Sequence, residues 1–300
     1  MLKKVALLLD SIKFAHSLFA LPFALSAMVV AARGWPEWKT FGLILLCMVS
    51  ARSAAMAFNR LADRQIDARN PRTQNRPTVT GAVSPAALMV FLVVSAVVFV
   101  SATAFLNRTC FVFALPVLAI LLGYSLSKRF TSLCHFWLGL SLGLAPLGAH
   151  LAVKGNLAPL PGLGLRWGLS FELFPLLLLA AVLCWVAGFD LIYACPDYKV
   201  DSADPDLHSM PKRIGIRGAL RLSAVLHALA ALLLFAAGYY AGMGTLYCLS
   251  VVVSSALLVY EHWIVSPNDL SRVNVAFFTV NGLVSLLLFA AVFVEWVCWR

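Results

Sequence analysis

The sequence predicts an all-α polytopic membrane protein, a bundle of nine transmembrane helices with two cytoplasmic cap loops. Three observations carry this expectation. First, 62% of the 300 residues are hydrophobic and 12% charged, and mean hydropathy is +0.90, so there is too little polar surface to cover a soluble globule. Second, nine apolar stretches are each long enough to span a bilayer as a helix, and none alternates as a barrel strand would. Third, the basic residues behind the net charge of +10 are distributed by topology rather than gathered on one soluble face, which argues against a nucleic-acid partner.

The first stretch, Phe14 to Ala32, follows Lys3, Lys4 and Lys13. No small-residue cleavage site follows it, so it reads as an uncleaved helix rather than a signal peptide. The second, Phe41 to Leu61, contains Arg52 and runs into an acidic passage. Ala86 to Leu106, Cys110 to Leu126 and Leu133 to Val153 follow, separated by short breaks. The sixth, Phe171 to Ile192, runs into a second acidic passage. Ala219 to Tyr239, Leu246 to Val265 and Val273 to Trp296 complete the set, divided by Gly238 to Gly244 and Ser266 to Arg272. An N-terminus in the cytoplasm puts sixteen of the 23 basic residues on inner segments and six on outer ones, with Arg52 inside a span. The positive-inside rule then sets the C-terminus outside, and the expected location is a bacterial-type inner (plasma) membrane. The long inner loops are Ala62 to Pro85 and Tyr193 to Gly218. With no tandem repeat or linker, residues 1–300 read as a single domain. The seven cysteines form no C-x-x-C pair and read as packing residues.

The two acidic passages are Asn59-x-x-x-Asp63-x-x-x-Asp67 and Asp190-x-x-Tyr193-x-x-x-Asp197-x-x-x-Asp201. With Asp204 and Asp206 they hold seven of the thirteen acidic residues. On a helix the first set falls on one stripe, and so does the second until Pro196, where the helix is expected to kink or end and leave Asp197 and Asp201 on a cap or loop. Helix ends that reach water often carry solvated charge, but two triads of matched spacing are better explained as metal ligands. Magnesium takes one or two carboxylates and completes its shell with water and phosphate. The candidate metal ligands are therefore Asn59, Asp63, Asp67, Asp190, Asp197 and Asp201, and the ligand they imply is a diphosphate.

Arg72 and Arg76 in the first inner loop, and Tyr124 one turn before Lys128 and Arg129, are the candidate phosphate-binding groups. Arg52 lies two turns before Asn59 on the same face. An intramembrane arginine is costly and usually faces a cavity with an anionic partner, here a structural carboxylate or the acid group of a substrate.

At these residues the chain resembles the UbiA family of intramembrane aromatic prenyltransferases, and its opening, Lys13-Phe-Ala-His16-Ser-Leu-Phe-Ala-Leu-Pro-Phe23, resembles the 4-hydroxybenzoate polyprenyltransferase-like branch. Arg52 to Pro77 resembles the first aspartate-rich motif, Asp190 to Asp201 the second, and Tyr124-x-x-x-Lys128 with Arg129 the element between them. One position departs from the pattern: Arg60 stands where an aspartate is common. The resemblance implies a polyprenyl diphosphate held through two Mg2+ ions, with Asp63, Asp67, Asp190 and Asp197 as catalytic residues. It further implies Arg52, Arg72, Arg76, Tyr124, Lys128, Arg129 and Tyr193 as substrate-binding residues. Loss of diphosphate leaves an allylic cation, which Phe14, Phe19, Phe23, Phe58 and Tyr193 are candidates to steady. A small hydroxylated aromatic acid attacks it, Arg52 holding its carboxylate, with Asp190 as metal ligand or proton acceptor. His16 is a further candidate acceptor contact, although an interior hydrogen-bonded role is commoner. The acceptor stays open between a 4-hydroxybenzoate and a dihydroxynaphthoate of menaquinone synthesis. The partners implied are the two substrates and the bilayer, with no nucleic acid and no obligate protein partner.

An ion-coupled transporter would place its acidic sites nearer the bilayer midplane on broken helices. A membrane alcohol phosphotransferase would carry a D-x-x-D-G-x-x-A-R run, and the chain has none.

Overall fold

The computed structural model describes residues 19–155 and 173–299. These are helical nearly throughout, and among them the only β pairing is an isolated bridge between Ser266 and Asp269. The chain is a multi-pass integral membrane protein: among the described residues eight helices are long and apolar enough to cross a membrane. A ninth, α1 (Leu21–Ala32), is the described part of the first span. The rest of that span, including Phe14 and His16, lies outside the described residues.

The order is α2 (Trp38–Ala62), short α3 (Arg64–Arg69), α4 (Pro85–Leu106), α5 (Arg108–Ser127), α6 (Cys134–Lys154), α7 (Leu173–Ala194), short α8 (Tyr198–Ala203), α9 (Met210–Tyr240), α10 (Thr245–Ile264) and α11 (Asn281–Phe293). Two π-helical turns, Val275–Val280 and Val294–Cys298, extend α11 at its ends. The expected spans match these helices to within a few residues; α9 opens with a short helical stretch from Met210, which breaks at Gly215 (φ 75°, ψ 163°), so its long part starts close to the expected Ala219.

Local chemistry sets the ends. Ser84 accepts from the Ala87 amide ahead of Pro85, and Asn107 accepts from the Cys110 amide, so each caps a helix start that would otherwise leave donors unpaired. The start of α10 is capped from outside: buried Glu295 accepts from the Gly244 amide at 2.7 Å and the Tyr247 amide at 2.8 Å. A carboxylate there satisfies orphan donors and meets the positive end of the helix dipole.

The helices bury their apolar faces in two clusters. The larger joins residues of α1, α6, α7, α9, α10 and α11 with Ile44 of α2 and Cys110 of α5, and buries Trp185 and Phe189 almost completely. The smaller joins α2, α4 and α5 through Ala54, Ala57, Leu88, Leu92, Phe99 and Ala114. In lipid, close helix contact comes from small residues rather than from hydrophobic drive. On α6, Gly139 and Gly143 meet the Leu183 and Leu179 carbonyls of α7, and a Cβ on Gly143 would lie 2.7 Å from that oxygen. Gly139→Leu is therefore expected to force α6 away from α7 and to cost about 1–3 kcal/mol or more by overpacking, read as a lower Tm in detergent and a smaller folded fraction.

Candidate active site

The first acidic passage begins in α2 and crosses a break. Helix α2 ends at Ala62, Asp63 sits at the junction with φ −89° and ψ 0°, and α3 carries Asp67. The expected single helix is thus interrupted, yet the stripe survives in outline. The Asp63 amide still donates to the Asn59 carbonyl and the Asp67 amide to the Asp63 carbonyl, which keeps nearly helical pitch. The second passage breaks as Pro196 requires: α7 ends at Ala194, a 3-10 turn covers Cys195–Asp197, and α8 carries Asp201. Asp201 stands there within electrostatic reach of Asp197, Lys128 and His135.

Both passages meet at one end of the bundle. Asn70, just after α3, donates from Nδ2 to Asp197 Oδ1 at 3.0 Å, and Arg72 pairs with the other oxygen of Asp197. Arg69 reaches Asp204 at 3.1 Å. The His208 amide donates to the Lys128 carbonyl at 2.7 Å, binding the second loop to the end of α5. The loops are thereby stitched to each other rather than merely adjacent.

Asp63, Asp67 and Asp197 on this seam each pair with a basic side chain. Asp63 is 3% exposed and accepts on Oδ2 from Lys128 Nζ at 2.7 Å and Asn59 Nδ2 at 3.0 Å. Arg129 lies 3.8 Å from its Oδ1 and donates to the Ala62 carbonyl. Asp67, 4% exposed, accepts from Arg76 Nη1 at 2.6 Å. Arg60, the departure from the family pattern, is buried and donates to Asn59 Oδ1 at 3.3 Å. Tyr124, in the last two turns of α5, is within electrostatic reach of Asp190, Asp63 and Arg60.

Among the described residues no three His, Cys, Asp or Glu side chains gather as a metal-binding group. The donor chemistry nevertheless fits a hard cation. Asp63 Oδ1 is buried without a hydrogen bond, and all six candidate ligands offer oxygen only.

Arg52 has a buried Nε with no hydrogen-bond partner among the described residues. Of the aromatic candidates, Tyr193 stacks on Phe277 at 4.1 Å with the Arg72 guanidinium 4.8 Å over its ring. Phe19 joins the same group through Phe277 at 5.3 Å and Phe189 at 5.5 Å, and Phe23 through Trp185 at 5.0 Å. Phe58 is elsewhere, packed on the smaller core.

Sequence reasoning did not single out Asn70, Arg69 or His135. His135 Nδ1 lies 2.7 Å from Asp190 Oδ2, a contact across 55 positions that no local spacing encodes. Asn70 precedes the expected Arg72 and Arg76 as an ordinary loop residue, and the Asn-Pro pair after α3 is the available turn signal.

A family model described as the UbiA prenyltransferase family matches residues 20–294. A 4-hydroxybenzoate octaprenyltransferase from Paracidovorax citrulli is 30% identical over 294 residues, spanning 96% of this chain and 93% of that protein. Among solved structures, the apo form of a UbiA homolog from Aeropyrum pernix K1 is 33% identical with a TM-score of 0.81, covering 93% of this chain and 98% of that one. A UbiA homolog from Archaeoglobus fulgidus bound to GPP and Mg2+ has a TM-score of 0.67 at 20% identity, covering 95% and 99%, a likeness of fold.

Proposed function

Since the chain belongs to the UbiA prenyltransferase family, we propose that it transfers a polyprenyl group from a polyprenyl diphosphate to the ring of a hydroxylated aromatic acid of the 4-hydroxybenzoate type, in respiratory quinone biosynthesis. The observation that carries the reading is the joining of the two acidic passages through Asn70 and Arg72 on Asp197, which brings carboxylates and cations from both into one mouth. The name of the Paracidovorax citrulli relative supports the benzoate acceptor.

Asn59, Asp63, Asp67, Asp190, Asp197 and Asp201 are the residues to hold magnesium. When bound, two such ions would neutralise diphosphate oxygens and make the diphosphate a better leaving group. Lys128, Arg129, Arg72 and Arg76 add fixed positive charge around the departing group, and Tyr124 a hydroxyl donor. The Tyr193, Phe277 and Phe19 rings offer faces to an allylic cation in a site kept from water. Arg52 takes the carboxylate of the acceptor, whose ring attacks the cation and loses a proton to become aromatic again. Residues 1–300 form one catalytic domain. The mouth opens to the cytoplasm, with the N-terminus inside and the C-terminus outside, in an inner membrane of bacterial type.

The test is to incubate membranes containing the protein with Mg2+, a labelled prenyl diphosphate and either 4-hydroxybenzoate or a dihydroxynaphthoate. Prenylated benzoate that disappears with EDTA and returns with added Mg2+ is the expected product. Naphthoate product alone would replace the acceptor, and no prenylated aromatic from either acid would overturn the reading.

A further inference from the structure

The bond that fixes Asp190 differs in kind from those at the other motif carboxylates. Lys128, Arg76 and Arg72 are long side chains, 31%, 29% and 38% exposed, so each can leave its carboxylate for a bound anion. His135 is short and only 4% exposed, and it holds Asp190 Oδ2 at 2.7 Å from the first turn of α6. Its other nitrogen is also engaged: the Met210 amide, at the start of α9, donates to Nε2 at 3.4 Å. An amide can only donate, so the ring hydrogen that Asp190 accepts is the one on Nδ1. The imidazole is thus clamped between α7 and α9, with no solvent to turn into. Oδ1 of Asp190 makes no hydrogen bond with any described residue.

We infer that His135 is a positioning residue, which fixes the rotamer of Asp190 so that one carboxylate oxygen is committed to the imidazole and the other is kept for a ligand of the site. The inference rests on the prenyl-transfer reading above and holds whether Asp190 serves as metal ligand or as proton acceptor, because either role needs one oxygen held in place. When a bound anion draws Lys128, Arg76 and Arg72 away from their carboxylates, the His135–Asp190 bond stays and preserves the geometry of that side of the site. Partners that orient a ligating or catalytic group in this way commonly change activity by about 10–100-fold when removed.

The experiment uses the full-length protein and turnover per folded molecule, with Tm recorded for each variant. His135→Leu removes the donor at similar volume, whereas His135→Asn carries an amide NH2 near the position of Nδ1. The expected results are a kcat roughly 10–100-fold lower for His135→Leu and recovery to within a few fold for His135→Asn. In an Asp190→Asn background, His135→Leu should cause little further loss, because the carboxylate it orients is gone. A helix-pinning role alone would give the same additional loss in both backgrounds. That result, wild-type turnover by His135→Leu, or no rescue by Asn would overturn the inference. Absence of prenyl transfer by the wild type would instead remove the reading on which it rests.

Discussion

Asp63→Ala and Asp197→Ala are each expected to abolish prenyl transfer, with losses of roughly 10²–10³-fold or more, as for removal of a group that stabilises developing charge. Both variants should still enter the membrane, since neither touches an apolar face of a spanning helix. The two fail for different reasons. Asp63 is the buried hub that takes Lys128 and Asn59 on one oxygen and leaves the other without a hydrogen bond. Asp197 is the point at which Asn70 and Arg72 fasten the first loop to the second passage. Normal product formation by either variant, at matched membrane content, would count against the site.

Lys128→Met should lower turnover on a comparable scale, by about 10²-fold. The substitution keeps the length of the apolar stem but removes the ammonium 2.7 Å from Asp63. Because Asp63 is buried, loss of its ammonium partner costs stability as well as anion binding. The Lys128 carbonyl still accepts from His208, so the seam is retained. The expected signature is therefore a weaker hold on diphosphate, read as turnover per folded molecule, with a lowered Tm. Competition by inorganic pyrophosphate measures it directly: a variant inhibited as strongly as the wild type would exclude Lys128 from the anion site.

Much of the fold was legible because the bilayer imposes a length and a composition on each span, and both can be read one stretch at a time. Pro196 likewise announced the break after Ala194. The break at Asp63 carried no such signal: no proline or glycine stands there, and the backbone departs from helix while keeping its hydrogen bonds to residues four before. The candidate site was legible as two rows of carboxylate with basic neighbours. Who pairs with whom was not, because Arg72 with Asp197, Lys128 with Asp63 and His135 with Asp190 are contacts between distant segments. Arg52 lies on a span in both views, and its buried Nε is an observation that sequence could not supply.

The two apolar clusters meet at the mouth through polar groups. Asp63 and Lys128 ride on the α2, α4 and α5 side, Asp190 and Asp197 on the other, and Asn70, Arg69, Arg72 and the His208 amide cross between them. Grease packed in lipid is indifferent to dissolved ions, whereas partly exposed charge pairs are screened over a Debye length of about 8 Å at physiological ionic strength. Electrolyte concentration therefore acts selectively on the gap between the motifs: raising it slackens the stitching across the entrance while each greasy half keeps its shape.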